Sequence, residues 1–513
     1  MNATLKGKIV QLGRLAKIAE RLKKEGNKIV LCHGVFDLLH PGHIRHFKSA
    51  EKYGDILIVT ITADRYIKKG PGRPVFNQNL RAEVLASITD VDYVAIVDSD
   101  SAVVSIKKIK PNFYVKGPDY KSRRTFAHIP RKLNEEEEAV NSIGGKLIFT
   151  SDEIVFSSSS LINNYFDIYP PKTKEYLDTL KEKYTAEMII EKLEVTKNTK
   201  ILVIGDAIID QYHYTLPLGR SSKEPIMVHH FISAESFAGG ALATANHLAS
   251  LSDSVTLLTI LGKKHSFRSF ITKKLKSVVK PVFFYQPNSD TIVKRRYLDA
   301  FTKQKQFQLT YMRDGFIDEK IEKAIIAYLK NEIAKFDLVV VNDFGHGLLT
   351  DKIIKTIIVH ANYLTLNVQA NSANYGFNVV TKYPRADFVC IDEAEIRLAT
   401  HDKYGDIKSL VKKIYRKMKC KDMLVTRGAS GSLGYSDKDG YYETPALTER
   451  IIDRVGAGDA LFAIASPCLF SGMDKHLAAF IGNVAGALQV QVVGNKRPIE
   501  LVEMTKFITR LLK

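Results

Sequence analysis

Two short stretches hold side chains whose types and spacing suit phosphate chemistry. The first reads His33-Gly34-Val35-Phe36-Asp37-Leu38-Leu39-His40-Pro41-Gly42-His43, with two histidines three residues apart where the apolar run Lys28–Cys32 meets a helix expected to begin near Pro41 and to carry His43, His46 and Phe47. The unpaired N–H groups and positive dipole end of such a helix attract an anion, which His40 and His43 can face from one side of the first turn. That arrangement suits charge building up on a phosphate under attack. The same pair could instead cap the helix, or ligate a metal if a third ligand came near. The second stretch, Ile451–Ala460, contains Gly456-Ala457-Gly458-Asp459. Glycines let backbone N–H groups approach a phosphate at a helix start, and the carboxylate that follows can accept a proton from a sugar hydroxyl. A glycine-rich cap beside an incidental aspartate is the plainer reading of so short a motif.

Alternating apolar strands and amphipathic helices must position the first stretch. They run from Lys28 to about Ile162, with strands expected near Ile56–Thr62, Tyr93–Val97, Phe113–Val115 and Lys146–Phe149, a pattern that makes a parallel α/β sheet. Around it the sequence offers further anion-binding groups: the basic loop Lys68–Pro74 with Arg73, Arg81 opening the next helix, Lys116 after a strand, and the hydroxyl-rich helix start Ser158-Ser159-Ser160. Two prolines, Pro170 and Pro171, then bar a continuing helix. A Lys/Glu-rich helical stretch follows over Thr173–Leu193, and a fresh α/β unit opens at Lys200–Ile204, continuing through strands at Asp337–Val341 and Met423–Thr426. The expected organisation is a domain over 1–168, a helical linker over 169–198 and a second domain over 199–513.

The chain has 513 residues, too many for one core, and its 45% hydrophobic and 26% charged content is that of a soluble globular protein. No apolar run approaches the length of a membrane span, and Leu5–Lys24 spaces its apolar positions as a helix rather than a signal peptide. A cytoplasmic protein is expected, with Cys32, Cys390, Cys420 and Cys468 as reduced thiols, since they lack metal-ligand spacing. A net charge of +19 is spread along the chain, which favours a solvated basic surface and phosphorylated small substrates over nucleic acid or a membrane. The acidic run Glu135–Glu138 reads as a solvated helix face.

The motif Gly34-x-Phe36-Asp37-x-x-His40-x-Gly42-His43 resembles the signature of the cytidylyltransferase-like nucleotidyltransferases. With the elements that follow, it is similar to the nucleotidyltransferase half of the bifunctional bacterial enzymes that phosphorylate heptose 7-phosphate at C1 and activate heptose 1-phosphate as a nucleotide sugar. The resemblance covers about Lys28–Ile162 and implies a Rossmann-like domain. It implies that His40 and His43 stabilise an in-line transition state, that Phe36 lies in the nucleotide site, and that Lys48, Arg73, Arg81, Lys116, Ser158, Ser159 and Ser160 contact nucleotide or phosphate. A sugar 1-phosphate would attack the α-phosphorus of ATP or CTP with Mg²⁺ present, releasing pyrophosphate.

From about Ile201 to Gly494 the chain resembles the ribokinase-like sugar kinases, which implies a second α/β sandwich. On that pattern Asp459 is the general base and Gly456, Ala457 and Gly458 hold the γ-phosphate of ATP, while Asp206, Asp210, Gly239, Gly240 and Asp343 form the sugar site. Thr426, Gly428, Gly431 and Asn483 belong to the nucleotide site, and Glu395 is the magnesium-linked glutamate. The chain departs from the family pattern at Ala243 and Thr244, where an asparagine is usual, at Asp392 for an asparagine and at Val455 for a threonine, and from the heptose enzymes at Asn367-Val368-Gln369 in place of Asp-Pro-Lys and at His346 for a lysine. The heptose enzymes also place the kinase first. The resemblance implies a bifunctional transferase that feeds lipopolysaccharide or capsule precursors, acts on sugar phosphates and nucleotides, binds neither nucleic acid nor membrane, and forms a homo-oligomer, expected as a dimer. The alternatives are the same chemistry on another sugar or polyol phosphate with CTP, and an active nucleotidyltransferase joined to a silent kinase-like binding or dimerisation module.

Overall fold

A computed structural model of the chain describes residues 7–67, 74–117, 131–150 and 169–512. These divide into two compact units, one up to Pro170 and one from Pro171 to Leu512.

The apolar runs of the first unit form five strands: β1 (Ile29–Gly34), β2 (Ile56–Thr62), β3 (Tyr93–Val97), β4 (Phe113–Lys116) and β5 (Lys146–Phe149). They pair in the order β3-β2-β1-β4-β5, and every pairing is parallel. Side chains alternate across the sheet with period two, so each strand feeds two cores. Val30 and Cys32 pack with Phe47, Ala50, Ala82 and Leu85 of the helices Pro41–Glu51 and Gln78–Ala86. Ile29 and Leu31 pack on the opposite face with Leu15, Ala19, Ile106 and Val140. The strand order reverses beside β1, and in such sheets the crevice at the carboxyl ends of the strands is where ligands bind. The histidine stretch leaves the sheet at that edge.

The second unit begins earlier than the sequence implies. The stretch expected as a linker forms two helices, Pro171–Lys183 and Ala186–Glu194, the second capped by Thr185 Oγ1 accepting from Met188 N. Both belong to this unit: Thr173 donates to the Ala446 carbonyl, Tyr176 packs on Phe480, and Ile189 and Leu193 are buried. The amphipathic faces that sequence reading left without a partner are buried against the second unit's own helices and strands.

Its strands are β6 (Lys200–Gly205), β7 (Ala207–Arg220), β8 (Met227–Gly240), β9 (Ser254–Gly262), β10 (Val279–Gln286), β11 (Ile292–Asp299), β12 (Lys305–Tyr311), β13 (Leu338–Asp343), β14 (Leu364–Val368), β15 (Phe388–Asp392), β16 (Asp422–Thr426), β17 (Ser432–Ser436) and β18 (Gly440–Thr444). Nine form one sheet, β10-β9-β6-β13-β14-β15-β16-β17-β18, parallel as far as β16 and antiparallel beyond. Helices cover both faces, with Leu202 and Ile204 pointing into one core and Ile201 and Val203 into the other. The remaining four strands make a separate sheet, β12-β11-β7-β8. Its inner end is buried at Asp210, Ala238 and Gly239, whereas all of β12 and most of the outer half of β8 face solvent, leaving Phe231, Ile232, Phe307 and Leu309 exposed. All four cysteines are buried and free. No helix among the described residues is long and apolar enough to cross a membrane.

Candidate active sites

In the first unit, Pro41 supplies a preset φ at the first position of the helix and His40 precedes it in an extended conformation. His40 Nδ1 accepts the Gly42 N–H at 3.2 Å, and His43 Nδ1 accepts the His40 N–H at 3.4 Å, so the two rings form a reciprocal capping box. The rings lie 3.9 Å apart between centroids. The pair therefore does cap the helix, the first of the alternatives its spacing allows. With each Nδ1 used as an acceptor, a neutral ring carries its proton on Nε2, and that of His40 is buried. Phe36, held at φ +48°, meets His43 edge-on with centroids 5.3 Å apart and fixes the ring from below.

Arg81 and Lys116 do something other than face a phosphate. The Arg81 side chain is wholly buried and donates to the carbonyls of Phe76, Val35 and Thr62 and to Asp64 Oδ1. It ties the loop before the strained Phe36 to the end of β2, helped by Asp37 Oδ1, which accepts from Val75 N and Phe76 N. Lys116 is buried in an ion pair with Glu136 at 2.8 Å, and Glu136 also accepts from Tyr114 and from Ala102 N. Glu136 thus departs from the solvated face expected of its acidic run, because it alone of those four positions is buried. Lys48 stands exposed in the last turn of its helix. Five residues beyond His43, it lies about 140° round the helix from that ring. Arg73, Ser158, Ser159 and Ser160 lie outside the described residues.

In the second unit the chemistry gathers at the carboxyl ends of parallel strands. Gly456, at φ +84°, caps the helix Ala457–Phe470, and a Cβ there would lie 2.3 Å from Asn495 Oδ1. A Cβ on Gly458 would meet nothing within 4 Å, so the first helical turn opens onto space where an anion can reach its N–H groups. Asp459 follows, buried, its Oδ1 accepting from Asn342 Nδ2 at 3.0 Å and Gln369 Nε2 at 2.7 Å. Two amides on one oxygen fix the carboxylate plane. Burial raises the Asp459 carboxyl to about 6, against the opposing amide bonds, which places it in the range of a working general base.

Beside it lies the sugar-type cluster. Asp206 follows β6, where burial and the nearby Asp343 carboxylate push its carboxyl up to about 7; one oxygen accepts the His346 N–H and the other has no partner. Asp210 on β7 pairs with Arg296 of β11 at 2.5 Å. The glycine pair is explained by these two acids: a Cβ on Gly239 would lie 2.1 Å from Asp210 Oδ2, and one on Gly240 would lie 2.5 Å from the Asp206 carbonyl. Asn342 Oδ1 and His346 Nε2 are likewise buried without partners. Burial and Lys294 hold the His346 ring down to about 4, hence neutral at ordinary pH. Asp343, in contrast, is consumed internally: Tyr383, Lys382, the Gly345 N–H and Asn378 all bond its carboxylate, which organises the loop rather than opening to a sugar.

On the nucleotide side, Thr426 ends β16, and Gly428 and Gly431 turn the chain at φ +55° and +80°. Asn483 donates to Ser432 Oγ at 2.7 Å, fastening its helix to β17. Glu395 forms a capping box with Asp392, its oxygens accepting from Ala370 N and Asp392 N. Burial, with Asp392 and Asp459 near, raises the Glu395 carboxyl to about 7. No group of three potential ligands that could hold a metal alone occurs among the described residues. A carboxylate so poor in positive neighbours fits a Mg²⁺ that arrives with nucleotide phosphates as its other ligands.

The model for pfkB family carbohydrate kinases matches residues 198–501. The chain belongs to this family. A model described as cytidylyltransferase-like matches residues 31–164, so the pfkB portion follows a second match in the same chain. Of the curated relatives, the bifunctional protein HldE of Aliarcobacter butzleri is 40% identical over 134 residues, 26% of this chain and 28% of that protein. That of Actinobacillus pleuropneumoniae is 43% identical over 109 residues, 21% and 23% of the two chains. The matched stretch thus spans less than a third of either relative. In structure, phosphofructokinase-2 of Escherichia coli with substrates and products aligns over 61% of this chain and all of its own, with a TM-score of 0.51 at 13% identity. The second unit has the pfkB fold.

Two of the departures have partners in the structure. Gln369, which breaks the expected Asp-Pro-Lys, donates to Asp459, and Thr244, at a departure near the glycine pair, accepts from Asn342, the other donor to that carboxylate. The strand-end position His346 carries no lysine, but Lys294 of β11 reaches the same cluster and feels Asp206, Asp210 and Asp459. Sequence reading missed Gln369, Lys294 and Arg296 as site residues. The signal for Lys294 and Arg296 was that charged residues interrupt a strand where apolar ones would serve packing.

Proposed function

We propose that the chain is a two-site transferase: its second unit phosphorylates a sugar phosphate at the anomeric hydroxyl with ATP, and its first unit joins a sugar 1-phosphate to a nucleotide. The carrying observation is Asp459, buried at the N-terminus of the Gly456–Gly458 turn with one oxygen held by Asn342 and Gln369. The Asp459 carboxylate takes the C1 hydroxyl proton as the sugar oxygen bonds the γ-phosphorus and ADP leaves. N–H groups of the Gly456–Gly458 turn meet the charge on the moving phosphoryl group, and Asp206 and Asp210 orient the sugar hydroxyls. Mg²⁺ bound with the nucleotide, near Glu395, would neutralise phosphate charge. In the first unit, Nε2–H groups of His40 and His43 stabilise the α-phosphate as pyrophosphate departs.

Heptose 7-phosphate is the acceptor we assign to the kinase, and heptose 1-phosphate with ATP or CTP to the nucleotidyltransferase. The likeness to HldE relatives in part of the chain supports both. The test is a coupled assay of the full chain with ATP and a panel of sugar phosphates, followed by pyrophosphate release from the matching 1-phosphates with ATP or CTP. ADP formation with heptose 7-phosphate upholds the reading. Turnover of a different sugar or polyol phosphate replaces the substrate, and pyrophosphate release with no kinase turnover on the panel overturns the kinase assignment.

A further inference from the structure

The helix Pro171–Lys183 lies between the two family matches, the first ending at 164 and the second starting at 198, yet its apolar face is committed to the second unit. Thr173, Leu177 and Leu180 are buried at helical spacing, with Tyr176 half-buried beside them. Thr173 Oγ1 donates to the Ala446 carbonyl at 3.4 Å. The Tyr176 hydroxyl lies 3.4 Å from Thr444 Oγ1, and its ring meets that of Phe480 with centroids 6.4 Å apart.

These contacts fall on both walls of the nucleotide side. Thr444 ends β18 and pairs with Ser432, the residue after Gly431, and a Cβ on Gly431 would strike the Thr444 carbonyl. Phe480 stands one turn before Asn483 on the helix Lys475–Gln489, and Asn483 Nδ2 donates back to Ser432 Oγ. β18 is the last strand of its sheet, hydrogen-bonded to a neighbour on one side only, so its position depends on what packs over it.

We propose that Tyr176 is a positioning residue for the nucleotide site of the kinase, holding the Gly431 turn and the Asn483 helix at one spacing. The inference rests on the kinase reading above and adds to it an element that neither family match contains. Thr173 and Tyr176 hold the end of β18, and the Tyr176 ring also holds the Phe480 face of the helix. A nucleotide bound between turn and helix then meets walls already set. Without the ring those walls are ordered at the expense of the nucleotide's own binding energy, and affinity falls.

The test titrates the full chain with the non-hydrolysable analogue AMP-PNP and Mg²⁺ and follows amide hydrogen exchange in the peptide 426–433, so that the midpoint of protection reports the second unit alone. In Tyr176→Leu, which keeps an apolar side chain, the midpoint rises about tenfold; in Tyr176→Phe, which keeps the ring, it stays within about threefold of the wild type. Ile189→Ala is the control for a merely structural role, since Ile189 is buried in the next helix, which packs on the helix Leu501–Leu511. Its cavity lowers the thermal midpoint of unfolding but leaves the nucleotide midpoint within about twofold. A midpoint unchanged in Tyr176→Leu, or raised as far by Ile189→Ala, overturns the proposal. If Tyr176→Leu does not fold, Thr173→Val, which loses the bond to the Ala446 carbonyl, should raise the midpoint about threefold, and no rise overturns the proposal. In steady-state ADP formation with heptose 7-phosphate, Tyr176→Leu raises the KM for ATP about tenfold while kcat stays within about twofold, and a loss carried by kcat alone overturns it as well. No protection of the wild type at any analogue concentration sinks the kinase reading and this inference together, whereas protection that Tyr176→Leu retains in full sinks this inference alone. If heptose 7-phosphate is not turned over, the substrate reading fails on that ground, and the titration still decides the role of Tyr176.

Discussion

At the scale of single residues, the site acids are held in a state that costs the fold. The folded-state value of Asp459, about 6, lies above its ordinary 3.8, so ionising it opposes folding. The cost is absent well below 3.8, grows as pH rises and is complete above about 6, where it amounts to on the order of 3 kcal/mol. Asp459→Asn should therefore abolish kinase turnover by a factor of about 1,000 or more and be more stable than the wild type at pH 8, the difference shrinking toward pH 4; steady-state assays and thermal melts across pH check both. In the wild type, kinase kcat/KM should fall on the acid side with a midpoint near 6, as the base protonates. His43→Ala should lower nucleotidyl transfer on the order of 100-fold, since it removes both a donor to the phosphate and half of the capping box; pyrophosphate release at saturating substrates measures it.

Elements are placed by a few polar anchors and by glycines that let backbones close in. Arg81 binds the ends of β1 and β2 to the helix it stands on, through three carbonyls and Asp64. Arg81→Ala should destabilise the first unit by on the order of 3 kcal/mol, with Arg81→Lys a poor rescue because an ammonium cannot reproduce the fork; urea unfolding followed by circular dichroism gives the comparison. At the end of β8, Gly239→Ala drives a methyl into Asp210 Oδ2. The acid must turn away, and the KM for the sugar substrate should rise about tenfold or more while nucleotide affinity, measured by calorimetry with a non-hydrolysable ATP analogue, stays within twofold.

For the whole molecule the consequence is autonomy. Each unit has its own sheet and its own pair of cores, and among the described residues the groups proposed for each site lie in one unit. Asp459→Asn should leave pyrophosphate release within twofold of the wild type, and His43→Ala should leave ADP formation equally untouched. Assaying both reactions on both variants is the check, and a cross-effect of tenfold would mean that the units communicate.

Local pattern was enough to place the five strands of the first unit with their parallel sheet, the helix that begins at Pro41, and three strands of the second unit, but not its four-stranded sheet. Hydrophobic periodicity and glycine placement are properties of neighbouring residues, and they survive in a bare sequence. The Gly456–Asp459 turn and the His40–His43 pair were legible for that reason. What the sequence left open depends on contacts between residues far apart in the chain. Whether Arg81 and Lys116 meet a phosphate or a carbonyl and a carboxylate depends on which loops fold over them, and both are buried in protein bonds. Gln369 read only as a departure from the heptose pattern, whereas the end of β14 brings it against Asp459, ninety positions away. Likewise the helices after Pro170 seemed a linker because nothing local names the surface that buries them. Only the tertiary structure decided which polar groups are spent on the fold and which are left to act on a substrate, since a charge is committed by its nearest partner in space.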